Sequence, residues 1–129
     1  MEKTKDHILV IEDNEDILMM IEMMLVHQNY RVSKKGDGDN VELFIKETKP
    51  DVILMDMLLS GVDGTLVCKQ VKEDPSTKHI PIVMISALSQ GQEKSEEAGA
   101  DFFLAKPFEM DDLLATAAKA FVLAYKMGK

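Results

Sequence analysis

The 129-residue sequence has no tryptophan, one cysteine and a shortage of bases, with 15 Lys and Arg against 23 Asp and Glu. A lone Cys68 excludes an internal disulfide framework. None is needed, because a domain of this size buries roughly two-thirds of the surface its unfolded chain exposes. Cys68 lies beside Val67 and near Val71, with no histidine or basic cluster next to it in sequence. It therefore reads as a buried structural thiol in a reducing compartment. The formal net charge of −8 excludes a surface built to hold phosphate backbones, so no direct contact with nucleic acid is expected. No glycine-rich loop of the kind that cradles nucleotide phosphates is present. Seven Gly and four Pro are dispersed, so no stretch reads as a linker or disordered tail. The strand-like HILVIE near the N-terminus is too short for a signal sequence or a membrane span. The expectation is one ordered domain over residues 1–129, cytoplasmic, off the membrane and with no attached output domain.

What the sequence does contain is an alternation of two hydrophobic patterns. Ile8 to Ile11, Val52 to Met55 and Ile82 to Ile85 are short continuous apolar runs, as expected of strands buried on both faces of a parallel sheet. Tyr30 to Ser33 and Phe102 to Leu104 are weaker strand signals. Segments with helical spacing lie between and after them: 15–27 (Ile17, Met20, Ile21, Met24, Leu25), 39–48 (Val41, Phe44, Ile45), 64–73 (Leu66, Val67, Val71), 90–98 and 109–126. Five strand-then-helix repeats predict an α/β doubly wound fold with a five-stranded parallel sheet and five helices. The expected strand order is 2-1-3-4-5, the flavodoxin-like arrangement, with ligands beyond the carboxyl ends of the first and third strands.

Chemistry-bearing residues stand at those strand ends. The first strand ends in Glu12-Asp13, the third in Asp56 and the fourth in Ser86; the fifth is followed by Lys106-Pro107. A carboxylate interrupting the apolar run PDVILMDMLL would be costly to bury without a partner, so Asp56 is placed where the strand emerges. Three acids brought together repel one another, and the cheapest remedy is a divalent cation. An all-oxygen set suits Mg²⁺, with Mn²⁺ as a substitute. A cation on one side, Lys106 on the other and the Ser86 hydroxyl between them would clamp a transferring phosphoryl group, with a carboxylate as nucleophile.

Glu12-Asp13, Asp56 followed by MLLSGVDG, Ser86-Ala87 and GADFFLAKPF together resemble the receiver domain of two-component response regulators, over the whole chain. The resemblance implies that Asp56 is the phosphoacceptor, with Glu12, Asp13, Asp56 and the backbone carbonyl of Leu58 around the metal. It implies that Lys106 contacts the phosphoryl group, that Ser86 shifts toward it and that Phe103 rotates in response. It implies a histidine kinase or histidine phosphotransfer protein as donor, a separate protein as output target, dimerisation on phosphorylation as a possible outcome, and regulation rather than enzymatic turnover. Ser60 stands where a proline is common, which predicts a less stiff loop before Gly61. Phe103 stands where tyrosine is frequent, and the Lys106-Pro107 bond is expected to be cis.

Blander readings exist for each residue alone. Glu12-Asp13 could cap and charge the start of the next helix. Lys106 could be solvated, and Ser86 could be a helix cap. His7, His27 and His79 read as exposed polar residues, and Gly61 and Gly64 as turn residues. A phosphatase of the haloacid dehalogenase type wants a second acid two residues after its nucleophile, where this chain has Leu58. A flavodoxin-like cofactor binder fits poorly with an acidic sheet edge and no tryptophan. Two helices carry surplus apolar surface: Met19 and Met23 lie outside the inner stripe of the first, and Leu114, Ala118, Val122 and Tyr125 outside that of the last. Such a surplus suits partner surfaces.

Overall fold

Three fully buried strands, His7–Ile11, Val52–Asp56 and Ile82–Ser86, flanked by two less buried ones, set the architecture. The computed structural model describes residues 6–128. Its strands are β1 (His7–Ile11), β2 (Arg31–Lys35), β3 (Val52–Asp56), β4 (Leu58–Leu59), β5 (Val62–Asp63), β6 (Ile82–Ser86) and β7 (Phe102–Ala105). Its helices are α1 (Glu15–His27), α2 (Val41–Thr48), α3 (Gly64–Glu73), α4 (Gly91–Glu97) and α5 (Met110–Lys126). One sheet runs β2-β1-β3-β6-β7 with every pair parallel. This is the expected 2-1-3-4-5 order once β4 and β5, a small antiparallel hairpin, are set apart. The winding reverses between β1 and β3, and their carboxyl ends face one crevice.

Successive strand residues point to opposite faces, so each buried strand feeds two cores. Ile8, Val10, Val52, Leu54, Val83 and Ile85 pack with Ile21 and Leu25 of α1 and with Leu113, Ala117, Ala120, Phe121 and Ala124 of α5. Leu9, Ile11, Ile53, Met55, Ile82 and Met84 pack on the other side with Val41 and Ile45 of α2 and Val67, Cys68 and Val71 of α3. The ring of Phe121 stacks on Tyr30 at 4.8 Å between centroids. The edge strand β2, RVSKK, is the polar one; Arg31 and Lys34 are exposed on it and discourage pairing with another chain.

Several expectations shift. Residue His7 is not exposed: it is buried in β1, with Nε2 2.6 Å from Ser33 Oγ on β2. Burial, then Arg31, holds its pKa below the ordinary value against an opposing pull from Asp51. Leu66 is exposed, and Cys68 takes the inner position beside Val67 and Val71. The Cys68 thiol is buried, donates to the Ala98 carbonyl at 3.6 Å and has its pKa pushed up to about 11 by burial, as befits an inert core thiol. Leu114 is half-buried against the core rather than part of an outer face, whereas Val122 and Tyr125 are exposed. Gly64 is the first residue of α3 rather than a turn residue. A Cβ there would collide with the Asp56 carbonyl oxygen and lie 2.9 Å from that of Met57, so only glycine lets α3 start against the end of β3. Gly61, at φ +71°, is a true turn glycine between β4 and β5.

Candidate functional site

Parallel strands of similar length deliver their last residues to one edge. Asp56 ends β3, in register with Ile85 of β6, and Glu12 follows β1 with its N–H on the Lys35 carbonyl at 3.1 Å. Lys106 follows β7 and donates its N–H to the Ser86 carbonyl at 2.9 Å. The Lys106-Pro107 peptide bond is cis. Glu12, Asp13 and Asp56 each place an oxygen such that all three lie within 4.8 Å of one another. Lys106 Nζ bridges two of them, 2.6 Å from Asp56 Oδ2 and 2.8 Å from Glu12 Oε1.

The electrostatics follow from this crowding. Both Glu12 and Asp56 are buried, and one ammonium faces two carboxylates. Burial lifts the Glu12 carboxyl above the ordinary range, against the pull of Lys106 and with the help of Asp56. Burial pushes Lys106 down, but hydrogen bonds to Asp56 and Glu12 more than offset this and hold its pKa above the usual lysine value. Asp13 behaves differently. Its carboxyl is held below the ordinary value chiefly by Ser60, whose N–H and hydroxyl both donate to Oδ2, at 2.9 and 2.6 Å.

The blander readings can be tested against this geometry. The N-cap of α1 is Asn14, whose Oδ1 accepts from Ile17 N–H, and Glu15 and Asp16 supply the acids of the first turn. Glu12 and Asp13 are thereby spared capping duty. Ser86 Oγ accepts from Leu88 N–H at 2.9 Å and caps no helix, since α4 begins at Gly91. Lys106 is ion-paired rather than solvated. Leu58 N–H donates to Asp56 Oδ1 at 3.0 Å, which seats the Leu58 backbone against Asp56, while its side chain is exposed. The segment after Asp56 is the β4–β5 hairpin rather than a plain loop, and Ser60, at its tip, is the residue bound to Asp13.

Two contributors escaped the sequence reading. One is Ser60, whose partner is 47 positions away. The other is Gly91, the first residue of α4. A Cβ there would stand 2.9 Å from Ser86 Cβ and 3.0 Å from Phe103 Cζ, so Phe103, half-buried, packs its ring tip beside Ser86 over a bare backbone. A glycine following SQ just after a strand-ending serine was the available clue.

Whether these residues suit a divalent cation is a question of donor chemistry. The cluster offers only carboxylate oxygen, with no soft ligand among its members, and of its three acids only Glu12 and Asp56 are paired with Lys106, which suits Mg²⁺ or Mn²⁺. Hydrogen-bond donors to each carboxylate supply the second layer such sites use.

Comparison with known proteins agrees. The sequence profile of the response regulator receiver domain matches residues 8–118. The chain belongs to that family, a family of phosphoacceptor signalling domains of two-component systems. It is 36% identical over 122 residues to the response regulator PleD of Caulobacter vibrioides, an alignment covering 93% of this chain and 26% of PleD. Among solved structures, the chemotaxis response regulator CheY4 of Vibrio cholerae superposes with a TM-score of 0.83 at 25% identity, covering 91% of this chain and 99% of that one. The receiver domain of sensor histidine kinase PA1611 from Pseudomonas aeruginosa PAO1, solved with a magnesium ion coordinated in its active site cleft, gives 0.80 at 29% identity, covering 98% and 100%. The chain spans between about a quarter and a half of the length of the curated relatives it matches. No helix of the described residues is long and apolar enough to cross a membrane.

Proposed function

We propose that this chain is a phosphorylation-dependent switch or relay that takes a phosphoryl group onto Asp56 from a phosphohistidine of a histidine kinase or histidine phosphotransfer protein. The observation that carries the reading is the convergence of Glu12, Asp13, Asp56 and Lys106 on the sheet edge where the winding reverses. An Asp56 oxygen attacks phosphorus in line, a P–O bond forms, the P–N bond breaks, and the donor histidine nitrogen keeps the electron pair. Glu12, Asp13, Asp56 and the Leu58 carbonyl would hold Mg²⁺, which when bound neutralises charge on the phosphoryl oxygens. Lys106, ion-paired to Asp56 before transfer, moves its ammonium to a phosphoryl oxygen afterwards. Ser86 turns its hydroxyl toward the same group. The space it vacates lies beside Phe103, which has no hydroxyl and must choose its rotamer by packing alone. The α4–β7–α5 face then changes affinity for a separate output protein or a second copy, as a two-state element biased by differential contacts.

The donor's docking site is assigned to α1. Met19, Met20, Met23, Met24 and Met110, with Asp16 and His27, line a groove of about 460 Å³ that runs along α1 beside the start of α5. Met19 and Met23 are 58% and 66% exposed, a soft apolar surface suited to a helical bundle. Met19→Glu is expected to slow transfer from a cognate kinase about tenfold, as loss of a buried anchor does, and to leave phosphorylation by acetyl phosphate unchanged. The test of the central claim is intact-mass spectrometry after acetyl phosphate and MgCl2. Wild type should gain one phosphoryl group and Asp56→Asn none; a wild-type protein that never gains it removes the reading.

A further inference from the structure

The three acids of the site are not held alike. Glu12 is fixed by Lys106 at Oε1 and by Asn14 N–H at Oε2, 3.3 Å away. Asp56 is fixed by Lys106 at Oδ2 and Leu58 N–H at Oδ1. Asp13, the least enclosed of the three, makes no hydrogen bond to Lys106 and takes its pair of donors from one residue, Ser60, across 47 positions of sequence. A carboxylate on a strand-to-helix connection has free rotamers, and their loss on binding a cation weakens affinity unless the loss has already occurred. Both Ser60 bonds fall on Oδ2, so Ser60 leaves Oδ1 to face the other two acids and a cation among them.

We propose that Ser60 is a positioning residue for the metal site: its hydroxyl and N–H clamp Asp13 Oδ2 and hold the carboxylate in place before the cation arrives. A proline at this position, common in the family, could supply neither donor, so the device belongs to this chain's own solution. The clamp also couples the hairpin carrying Leu58 to the end of β1, so two elements of the coordination sphere are set by one side chain.

The inference rests on the reading of Glu12, Asp13 and Asp56 as magnesium ligands, and calorimetric titration of the unphosphorylated protein with MgCl2 separates the two. Ser60→Ala removes the hydroxyl and should weaken Mg²⁺ binding about tenfold, the low end for loss of a partner behind a metal ligand. Ser60→Pro removes both donors and should weaken it further, while Ser60→Thr restores the wild-type value. Melting in EDTA supplies the control. If Ser60→Ala lowers the melting temperature but binds Mg²⁺ as tightly as wild type, or more tightly, the serine merely secures the hairpin and the inference is overturned. If wild type itself shows no Mg²⁺ binding, the metal reading falls and the inference goes with it.

Discussion

The two ends of the sheet use the same residue type for opposite purposes. At the amino end, Asp51 precedes β3 and Asp101 precedes β7, and each forms a reciprocal pair with the neighbouring strand. Asp51 N–H donates to the His7 carbonyl while His7 N–H donates to Asp51 Oδ2; Asp101 N–H donates to the Ile82 carbonyl while Ile82 N–H donates to Asp101 Oδ2. These acids sit apart, each serving one strand start, and Asp101 is further neutralised by Lys72 at 2.7 Å. At the carboxyl end, three acids converge and one lysine pairs with only two of them, Glu12 and Asp56. The difference teaches that an aspartate's role in this fold follows from the strand end it occupies. Dispersed acids satisfy backbone donors; convergent ones store a demand for positive charge.

The contrast is broken most severely at Asp56, where the asparagine variant should lose the phosphoryl adduct entirely. Lys106→Ala should be the most costly for stability, about 3 kcal/mol in EDTA by urea denaturation, because it strands two buried carboxylates. Added Mg²⁺ should recover part of that loss, a result that separates electrostatic demand from simple packing. Asp101→Ala sharpens the comparison from the other side. It should cost about 2 kcal/mol by leaving a buried Ile82 N–H unpaired, yet leave the adduct yield intact. A lost adduct there would show that the two ends are not independent. The smallest effect is at His7. Its lowered folded pKa means the unfolded chain binds the proton more readily, so its contribution is full above the ordinary 6.5 and is lost as pH falls through the folded value. Stability between pH 7 and 5 should therefore decline less steeply in His7→Gln than in wild type, measured by urea midpoints.

Strand continuity and direction made much of this legible in advance. Three apolar runs and two weaker strand signals, separated by helical spacing, point to a parallel sheet, and a parallel sheet gathers residues 12, 13, 56, 86 and 106 on one edge whatever lies between them. The inner stripe of α5 could be read from spacing alone, and Leu113, Ala117, Ala120, Phe121 and Ala124 are the buried positions. What escaped depends on pairings between elements. His7 looks polar in one dimension and becomes buried because Ser33 on the adjacent strand satisfies its ring. Two-residue strands such as Leu58–Leu59 carry no period to detect. Gly64 and Gly91 announce themselves only when another backbone or ring is found where their side chains would be. Ser60 reads as a substitution for proline until its hydroxyl is seen on Asp13.

Gly91 carries a mechanical consequence. Its missing methyl is the clearance in which the end of β6, the ring from β7 and the first turn of α4 meet. A carbon placed there would lie 2.9 Å from Ser86 Cβ and 3.0 Å from Phe103 Cζ, so an alanine at this position must wedge the serine, the ring and the helix apart, and whichever yields most easily will show it by moving.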